Sequence, residues 1–205
     1  HYFDHVNVSK ENERLKLEIE RLVNEKNDLI ERIFQQKRIA GLMAYQKSLK
    51  KELLVATVIG RAATQWSKVV FINKGTKHGV RTHSVVVTTS GVIGQIIHAG
   101  LTTSKVLLTI DSRSAVDALF QGSRVSGVVV GTGEKQCQIK FVPNTAEIKV
   151  GDQVLSSGLG GIFPKGLVIG TVSKVNRKKR GLFQEITLVP GSDLSNLEEV
   201  LVFLP

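Results

Sequence analysis

The sequence is poor in the residues that form disulfides, metal sites and membrane spans. Its 205 residues include one cysteine, Cys137, so neither an intrachain disulfide nor a cysteine-based metal site is available. Its five histidines lie at no metal-ligand spacing, and no phosphate-binding glycine motif is present. No run of about 18 apolar residues occurs, so these residues hold no candidate membrane helix. The sequence therefore predicts no metal and no cofactor.

Acidic residues are scarce relative to basic ones, and the imbalance lies in one part of the chain. Residues 1–54 hold 11 basic and 9 acidic residues (net +2), whereas residues 55–205 hold 17 and 9 (net +8). A positive surface attracts acidic proteins, anionic membranes or nucleic acids without choosing among them. The cationic run 177–180 has no interleaved aromatic residues of the kind that stack on bases. We therefore expect no nucleic-acid partner, and we interpret this run as a solvated hairpin loop. The alternative is a contact for an acidic protein or for lipid headgroups.

Residues 8–47 lack proline and repeat apolar residues at three- and four-residue spacing, which predicts one long helix. With Leu15, Leu22 and Leu29 at d positions and Ile19 and Ile33 at a positions, the heptads favour a parallel dimer. Lys26, at an a position, would fix the register at a cost in stability. The predicted dimer seam consists of Leu15, Ile19, Leu22, Lys26, Leu29 and Ile33. The alternative is an amphipathic helix that packs on its own domain, because Val23, Ile30 and Ile39 widen the apolar stripe.

One sequence phrase occurs twice, at residues 74–96 and 148–172. Each copy has a glycine-containing turn, an apolar strand, a Ser-Gly turn signal and a second strand that contains an Ile-Gly pair. The glycine of this pair is Gly94 in the first copy and Gly170 in the second. The second copy carries an insertion, residues 161–166. The repeat predicts two related β units rather than one large catalytic domain.

Short apolar runs separated by glycine and polar clusters follow the helix, a pattern typical of barrels or a sandwich. We expect a mainly β protein with one long N-terminal α-helix and two small six-stranded-type β-barrels. The predicted domains are 1–52 (coiled-coil helix and junction), 53–120 (barrel one) and 121–205 (barrel two), and a strand from one half can pair in the other. The predicted strands are 54–59, 69–72, 85–89, 92–99, 106–110, 115–120, 125–130, 139–142, 153–156, 167–175, 184–189 and 199–204.

Serine hydrolysis is the one enzymatic alternative that the sequence raises. His83, Asp111 and either Ser156 or Ser157 follow the His, Asp, Ser order of two-barrel proteases. The surrounding residues lack both the Gly-Asp-Ser-Gly-Gly phrase and the G-x-S-x-G elbow that position a nucleophilic serine. The sequence therefore predicts no catalytic residue and no enzyme.

Three aromatic residues in or near predicted loops are candidate partner-binding residues: Trp66, Phe120 and Phe163. Aromatic residues often anchor interfaces. Loop aromatics also close the ends of barrels, and the sequence leaves both readings open.

Residues 157–172, Ser-Gly-Leu-Gly-Gly-Ile-Phe-Pro-Lys-Gly-Leu-Val-Ile-Gly-Thr-Val, resemble the signature of the MreC family of bacterial rod-shape-determining proteins. Residues 72–80, 90–95 and 106–111 are similar to the same family. With the helix, the resemblance covers nearly the whole chain.

The resemblance implies a non-enzymatic scaffold of cell-wall elongation at the periplasmic (extracytoplasmic) face of the inner membrane. It implies a membrane helix before these residues, which anchors a coiled coil and two β-barrels. The implied partners are a second copy of the chain, filaments built by head-to-tail contacts, a class B penicillin-binding transpeptidase, MreD and the MreB system. A membrane-fusion-type adaptor of an efflux or secretion pump is the alternative. Such adaptors usually insert a helical hairpin between β segments, whereas here one helix precedes all strands.

Overall fold

The computed structural model describes residues 2–49, 52–64, 67–177 and 181–204. Within these residues one long helix, α1 (Tyr2–Leu49), precedes every strand, which confirms the predicted helix. The chain divides into two units, His1–Gly41 and Leu42–Pro205. In the described part of the chain no helical hairpin interrupts the strands, as a pump adaptor would require.

Twelve strands follow the helix within the described ranges, and each overlaps one of the twelve predicted apolar runs. The strands are β1 (Leu53–Ala63), β2 (Lys68–Ile72), β3 (Val85–Thr88), β4 (Gly91–Ala99), β5 (Ser104–Leu108), β6 (Ala115–Phe120), β7 (Ser126–Gly131), β8 (Cys137–Pro143), β9 (Gln153–Ser156), β10 (Val168–Asn176), β11 (Phe183–Pro190) and β12 (Glu199–Phe203).

The strands close into two six-stranded antiparallel barrels, as predicted. Barrel one has the order β1-β12-β3-β4-β5-β2, and barrel two has the order β10-β11-β8-β7-β6-β9. The cores are built largely from valine, isoleucine and leucine, whose branched side chains pack well on a pleated surface.

The boundaries of the barrels differ from the prediction. Strand β6, which the prediction places in barrel one, pairs with β7 and β9 in barrel two. Strand β12, which the prediction places in barrel two, pairs with β1 and β3 and closes barrel one. The chain thus builds most of barrel one, then all of barrel two, and returns to complete barrel one. The expectation of shared strands is correct, and the sequence boundary at residue 120 is wrong.

The two barrels share one strand connectivity. If β7–β11 are matched to β1–β5 and β6 to β12, every pair of neighbouring strands in one barrel has its counterpart in the other. The single difference lies in the order along the chain. Strand β6 comes first among the strands of barrel two, whereas its counterpart β12 comes last among the strands of barrel one. The sequence repeat therefore covers matching hairpins, β3–β4 and β9–β10.

Gly94 and Gly170 occupy matching places in this repeat. A Cβ at Gly94 would overlap the backbone carbonyl oxygen of Leu107 on the neighbouring strand β5. A Cβ at Gly170 would overlap the backbone carbonyl oxygen of Val189 on β11. In both barrels the glycine thus permits two strand backbones to approach more closely than any side chain allows.

The two barrels meet along a tight seam. Gly91 lies so close to the carbonyl oxygen of Val168 that a side chain at position 91 would collide with it. A Cβ at Gly191 would lie 2.6 Å from the carbonyl oxygen of Ser90. The hydroxyl of Ser192 donates to the carbonyl of Gly91. These contacts connect the start of β10 to the β3–β4 hairpin.

Candidate functional site

Three large apolar side chains lie exposed together on barrel two. Phe141 is 60% exposed, Leu182 is 81% exposed and Phe183 is 45% exposed. The rings of Phe141 and Phe183 meet edge to face, with centroids 5.8 Å apart and planes at 90°. We call Phe141, Leu182 and Phe183 the aromatic end. Fixed, exposed aromatic rings are the type of residue that dominates binding energy at protein interfaces.

A β-bulge turns Phe141 outward. In the pairing of β8 with β11, Ile139 faces Ile186 and Val142 faces Gln184, so two residues of β8 lie opposite the single residue Glu185. Without the bulge, alternation would point residue 141 inward together with 139. Phe141 instead has a φ of 63°, a left-handed conformation that is unusual for a bulky residue. Such local strain is common where a fold aims a side chain at a partner.

A groove with a volume of about 260 Å³ runs beside the aromatic rings. Its lining includes Gln138, Lys140, Phe141, Phe183 and Glu185. The site thus offers a rigid apolar ridge, a groove, and polar side chains at its margin. That arrangement suits recognition of another surface and supplies no chemistry for a reaction.

The aromatic end lies at the far end of barrel two from barrel one. Strand β10 begins at the seam and ends at Asn176, close to the start of β11 at Phe183. Its nine residues span about 25 Å at the usual strand rise. A partner can therefore reach the aromatic end without touching the seam.

Two of the three predicted partner-binding aromatics, Phe120 and Phe163, do not form this site. Phe120 is 1% exposed and Phe163 is 7% exposed, so both rings are buried rather than presented to a partner. Both belong to the hydrophobic core, which favours the reading that they close the barrel. Trp66 lies outside the described residues, and its partner-binding role stays a prediction.

Hydrogen bonds fold the 161–166 insertion inward and so explain the burial of Phe163. The hydroxyl of Ser156 donates to the carbonyl of Pro164 and accepts the backbone N–H of Leu167. The N–H of Gly166 donates to the carbonyl of Ser156. These bonds hold the part of the insertion that directly follows Phe163 against β9, and the Phe163 ring packs into the core.

The predicted dimer seam lies on the exposed surface of α1 in the single chain. Leu15, Ile19, Leu22, Leu29 and Ile33 are each between 50% and 60% exposed. Lys26 on the same face is also exposed. A helix with an apolar stripe in water needs a partner for that stripe. The role of these residues in dimerisation stays a prediction.

The structure does not assemble the serine-hydrolase residues. The Nδ1 atom of His83 lies 3.4 Å from Gln95, and the hydroxyl of Ser157 accepts the N–H of Leu159. Ser156 is fully buried, and its hydroxyl donates a hydrogen bond to the carbonyl of Pro164 in the insertion. Among the described residues no hydrogen bond joins His83, Asp111 and either serine to one another, and Asp111 has a different role.

Asp111 is a buried carboxylate at the junction of the barrels. The Arg113 side chain donates to both of its oxygens at 2.8 and 2.9 Å, and the Lys68 backbone N–H donates at 2.7 Å. Burial alone would raise the pKa of Asp111, but the hydrogen bonds from Arg113 and from the backbone N–H groups of Arg113 and Lys68, together with the guanidinium charge, hold this pKa below its ordinary value. The carboxylate thus ties β2 of barrel one to the segment that enters barrel two.

We expect the Asp111→Asn substitution to lower the free energy of unfolding at pH 7 by about 2 kcal/mol, since buried hydrogen bonds to a charged group are lost. Because the folded-state pKa is lowered, this stabilisation is present above the unfolded-state pKa of about 3.9 and is lost as the pH falls through the folded-state pKa. Urea unfolding at several pH values measures the difference. The exposed Asp193→Asn change serves as control and should lower the free energy of unfolding much less than Asp111→Asn does at pH 7. An Asp111→Asn deficit that is unchanged below pH 4 (about the unfolded-state pKa) would contradict the assignment.

The part of the chain that the structure describes contains neither a candidate metal cluster nor a candidate membrane-spanning helix. No group of three His, Cys, Asp or Glu side chains there could hold a metal ion. No described helix is long and apolar enough to cross a membrane.

Comparisons with known proteins agree on one family. The family model "Rod shape-determining protein MreC, barrel core" matches residues 58–204. Cell shape-determining protein MreC of Listeria monocytogenes is 33% identical over 202 residues, which cover 96% of this chain and 68% of that protein. A solved structure of an MreC has a TM-score of 0.80 and 28% identity, and covers 83% of this chain and 98% of that one.

Two more distant solved structures share the fold. One is the major periplasmic domain of the cell shape-determining filament MreC, with a TM-score of 0.66, 22% identity and coverage of 75% of this chain and 96% of that one. The other belongs to a complex between Penicillin-Binding Protein (PBP2) and MreC from Helicobacter pylori, with a TM-score of 0.57, 22% identity and coverage of 75% and 99%.

The family assignment follows from the match over most of the chain and from the shared two-barrel fold. The relatives are named for cell shape and not for a reaction, in agreement with the prediction that the chain is not an enzyme. The chain is a member of the MreC family of bacterial rod shape-determining proteins.

Proposed function

We propose that this chain is a scaffold of the machinery that elongates the cell wall of rod-shaped bacteria. Its barrels bind the elongation-specific class B penicillin-binding transpeptidase, and its helix pairs two copies of the chain. It acts at the periplasmic (extracytoplasmic) face of the inner membrane, in the same assembly as MreD and the MreB system. Head-to-tail contacts between dimers build filaments.

The aromatic end is the observation that carries the proposed docking of the transpeptidase. Phe141, Leu182 and Phe183 form an exposed apolar surface, in which the two rings already pack edge to face in the single chain. Rigid anchors lose little conformational entropy on binding. The H. pylori complex supports the choice of partner, because its MreC chain shares this fold.

The exposed stripe of α1 supports the proposed dimer. Burying five leucine and isoleucine side chains per helix against a second copy would remove their apolar surface from water. Lys26 in the middle of the stripe favours a parallel pairing in one register. Two copies held this way present two aromatic ends to the elongation machinery.

Titration calorimetry against the purified transpeptidase ectodomain tests the proposed docking. We expect saturable binding of one transpeptidase per chain, retained by residues 42–205, which form a compact unit. The double substitution Phe141→Ala and Phe183→Ala should weaken binding by at least about 100-fold, because two central aromatic anchors are lost.

Leu101→Ala is the matched control, since Leu101 is an exposed residue (60%) on barrel one. Its affinity should equal that of the unchanged chain. Equal heats for the aromatic double variant and the unchanged chain would refute docking at the aromatic end. No heat and no co-elution at high micromolar concentration would refute transpeptidase binding altogether.

A further inference from the structure

We infer that the partner surface received by the aromatic end is acidic around an apolar centre, and that cations around the aromatic end control how fast it docks. This inference rests on the proposed docking function and names the chemistry of the partner at that site. It follows from the distribution of charge on barrel two, which the apolar residues alone do not explain.

Positive charge is concentrated in the segments that form the aromatic end. Residues 138–143 and 174–187 together contain six lysines and arginines and a single acid, Glu185. Among the described residues, Lys140, Lys174 and Arg177 are exposed on these segments. Arg177 also donates a hydrogen bond at 3.3 Å to the carbonyl of Ala146, which directs its guanidinium along the loop beside β8.

These cations lie beside the rings, where they affect the rate of association with a partner more than the stability of the complex. Lys140 is the neighbour of Phe141, and Lys174 and Arg177 lie near the end of β10, beside the start of β11. Exposed charges at the rim of an interface stay hydrated, so they add little to the strength of the complex. Their long-range field raises the rate of encounter with an oppositely charged surface.

An acidic protein fits this surface better than an anionic bilayer does. Glu185 lines the groove beside the rings, where a layer of anionic headgroups would repel it. The groove and the edge-to-face ring pair also present a fixed shape, which a fluid bilayer does not require.

Stopped-flow association with the transpeptidase ectodomain tests the inference. The charge variant is Lys174→Ser with Arg177→Ser, and the matched control is Lys77→Ser with Arg81→Ser, an exposed lysine and arginine on barrel one. We expect the charge variant to associate about tenfold more slowly at low salt, with dissociation changed less than about twofold. The control should associate about as fast as the unchanged chain.

Salt supplies the second readout. Between about 0.01 M and about 0.15 M salt the screening length falls from about 30 Å to about 8 Å. The association rate of the unchanged chain should fall over this range, and that of the charge variant should fall less. An association rate that changes neither with salt nor in the charge variant would overturn this inference. It would not contradict the docking function.

Two further outcomes separate the remaining explanations. Absence of binding at the lowest salt concentration would overturn the docking function, and this inference with it. Sedimentation with phosphatidylglycerol vesicles tests the lipid alternative. Vesicle binding that is abolished by Phe141→Ala with Phe183→Ala would show that the surface binds lipid, and would overturn the inference. We expect the unchanged chain and this double variant to sediment with the vesicles equally and weakly.

Discussion

The Gly94→Ala and Gly170→Ala substitutions should each lower the free energy of unfolding by about 3 kcal/mol or more, at the upper end of overpacking effects. The added Cβ would overlap a backbone carbonyl oxygen of the adjacent strand, Leu107 in one barrel and Val189 in the other. A backbone atom inside a closed barrel cannot move away without breaking ladder hydrogen bonds. Thermal or urea unfolding measures both losses, and two losses below about 1 kcal/mol would contradict the close approach.

Gly122→Ala is the control, because no atom lies within 4 Å of a Cβ at that position. A second readout distinguishes the barrels. Burial raises the pKa of the Cys137 thiol to about 12, so this residue of β8 should resist thiol reagents at pH 8 (about its ordinary pKa) while barrel two is folded. Gly170→Ala should speed labelling of Cys137 more than Gly94→Ala does. The reverse order would contradict the assignment of Cys137 and Gly170 to one folding unit.

Replacing two d-position leucines by lysine, Leu22→Lys with Leu29→Lys, should convert the proposed dimer into monomers. Four leucines leave the interface of the dimer, at about 1.5 kcal/mol each, so the loss is about 6 kcal/mol. That loss weakens association by about four orders of magnitude. Light scattering or sedimentation at tens of micromolar, about the range where a micromolar dimer forms, measures the mass.

Leu17→Lys is the matched control for the helix, because Leu17 lies at an f position outside the seam and is 67% exposed. This variant should remain dimeric. A monomeric mass for the unchanged chain would contradict the coiled coil, and so would a Leu17→Lys variant that dissociates as readily as the double variant.

Local patterns were sufficient to predict the elements and their number. Apolar runs bounded by glycine and polar clusters predicted all twelve strands, because strand formation depends on short-range composition. The repeat predicted two related units, and the structure shows the same connectivity in both barrels. The pairing of β6 and β12 was not predictable, since a strand's partner is set by tertiary packing across many residues and its own sequence looks the same in either barrel.

The docking surface was harder to predict than the fold. Phe120 and Phe163 lie near loops in the sequence, yet packing turns both inward. Phe141 lies within a predicted strand, where alternation points it to the core. A single extra residue in β8 reverses that direction, and no local residue pattern marks this bulge. Only the exposed Leu182 next to a cationic run offered a sequence signal, because a large apolar residue in a solvated loop has no core to enter.

Photo-crosslinking is the most direct test of the central claim that barrel two receives the transpeptidase at the aromatic end. A benzoyl-phenylalanine replaces Phe183 in one protein and Leu101 in the other, and each is irradiated with the transpeptidase ectodomain. We expect a covalent adduct from position 183 and none from position 101. An adduct from position 101 with none from position 183 would place the partner on barrel one and contradict docking at the aromatic end.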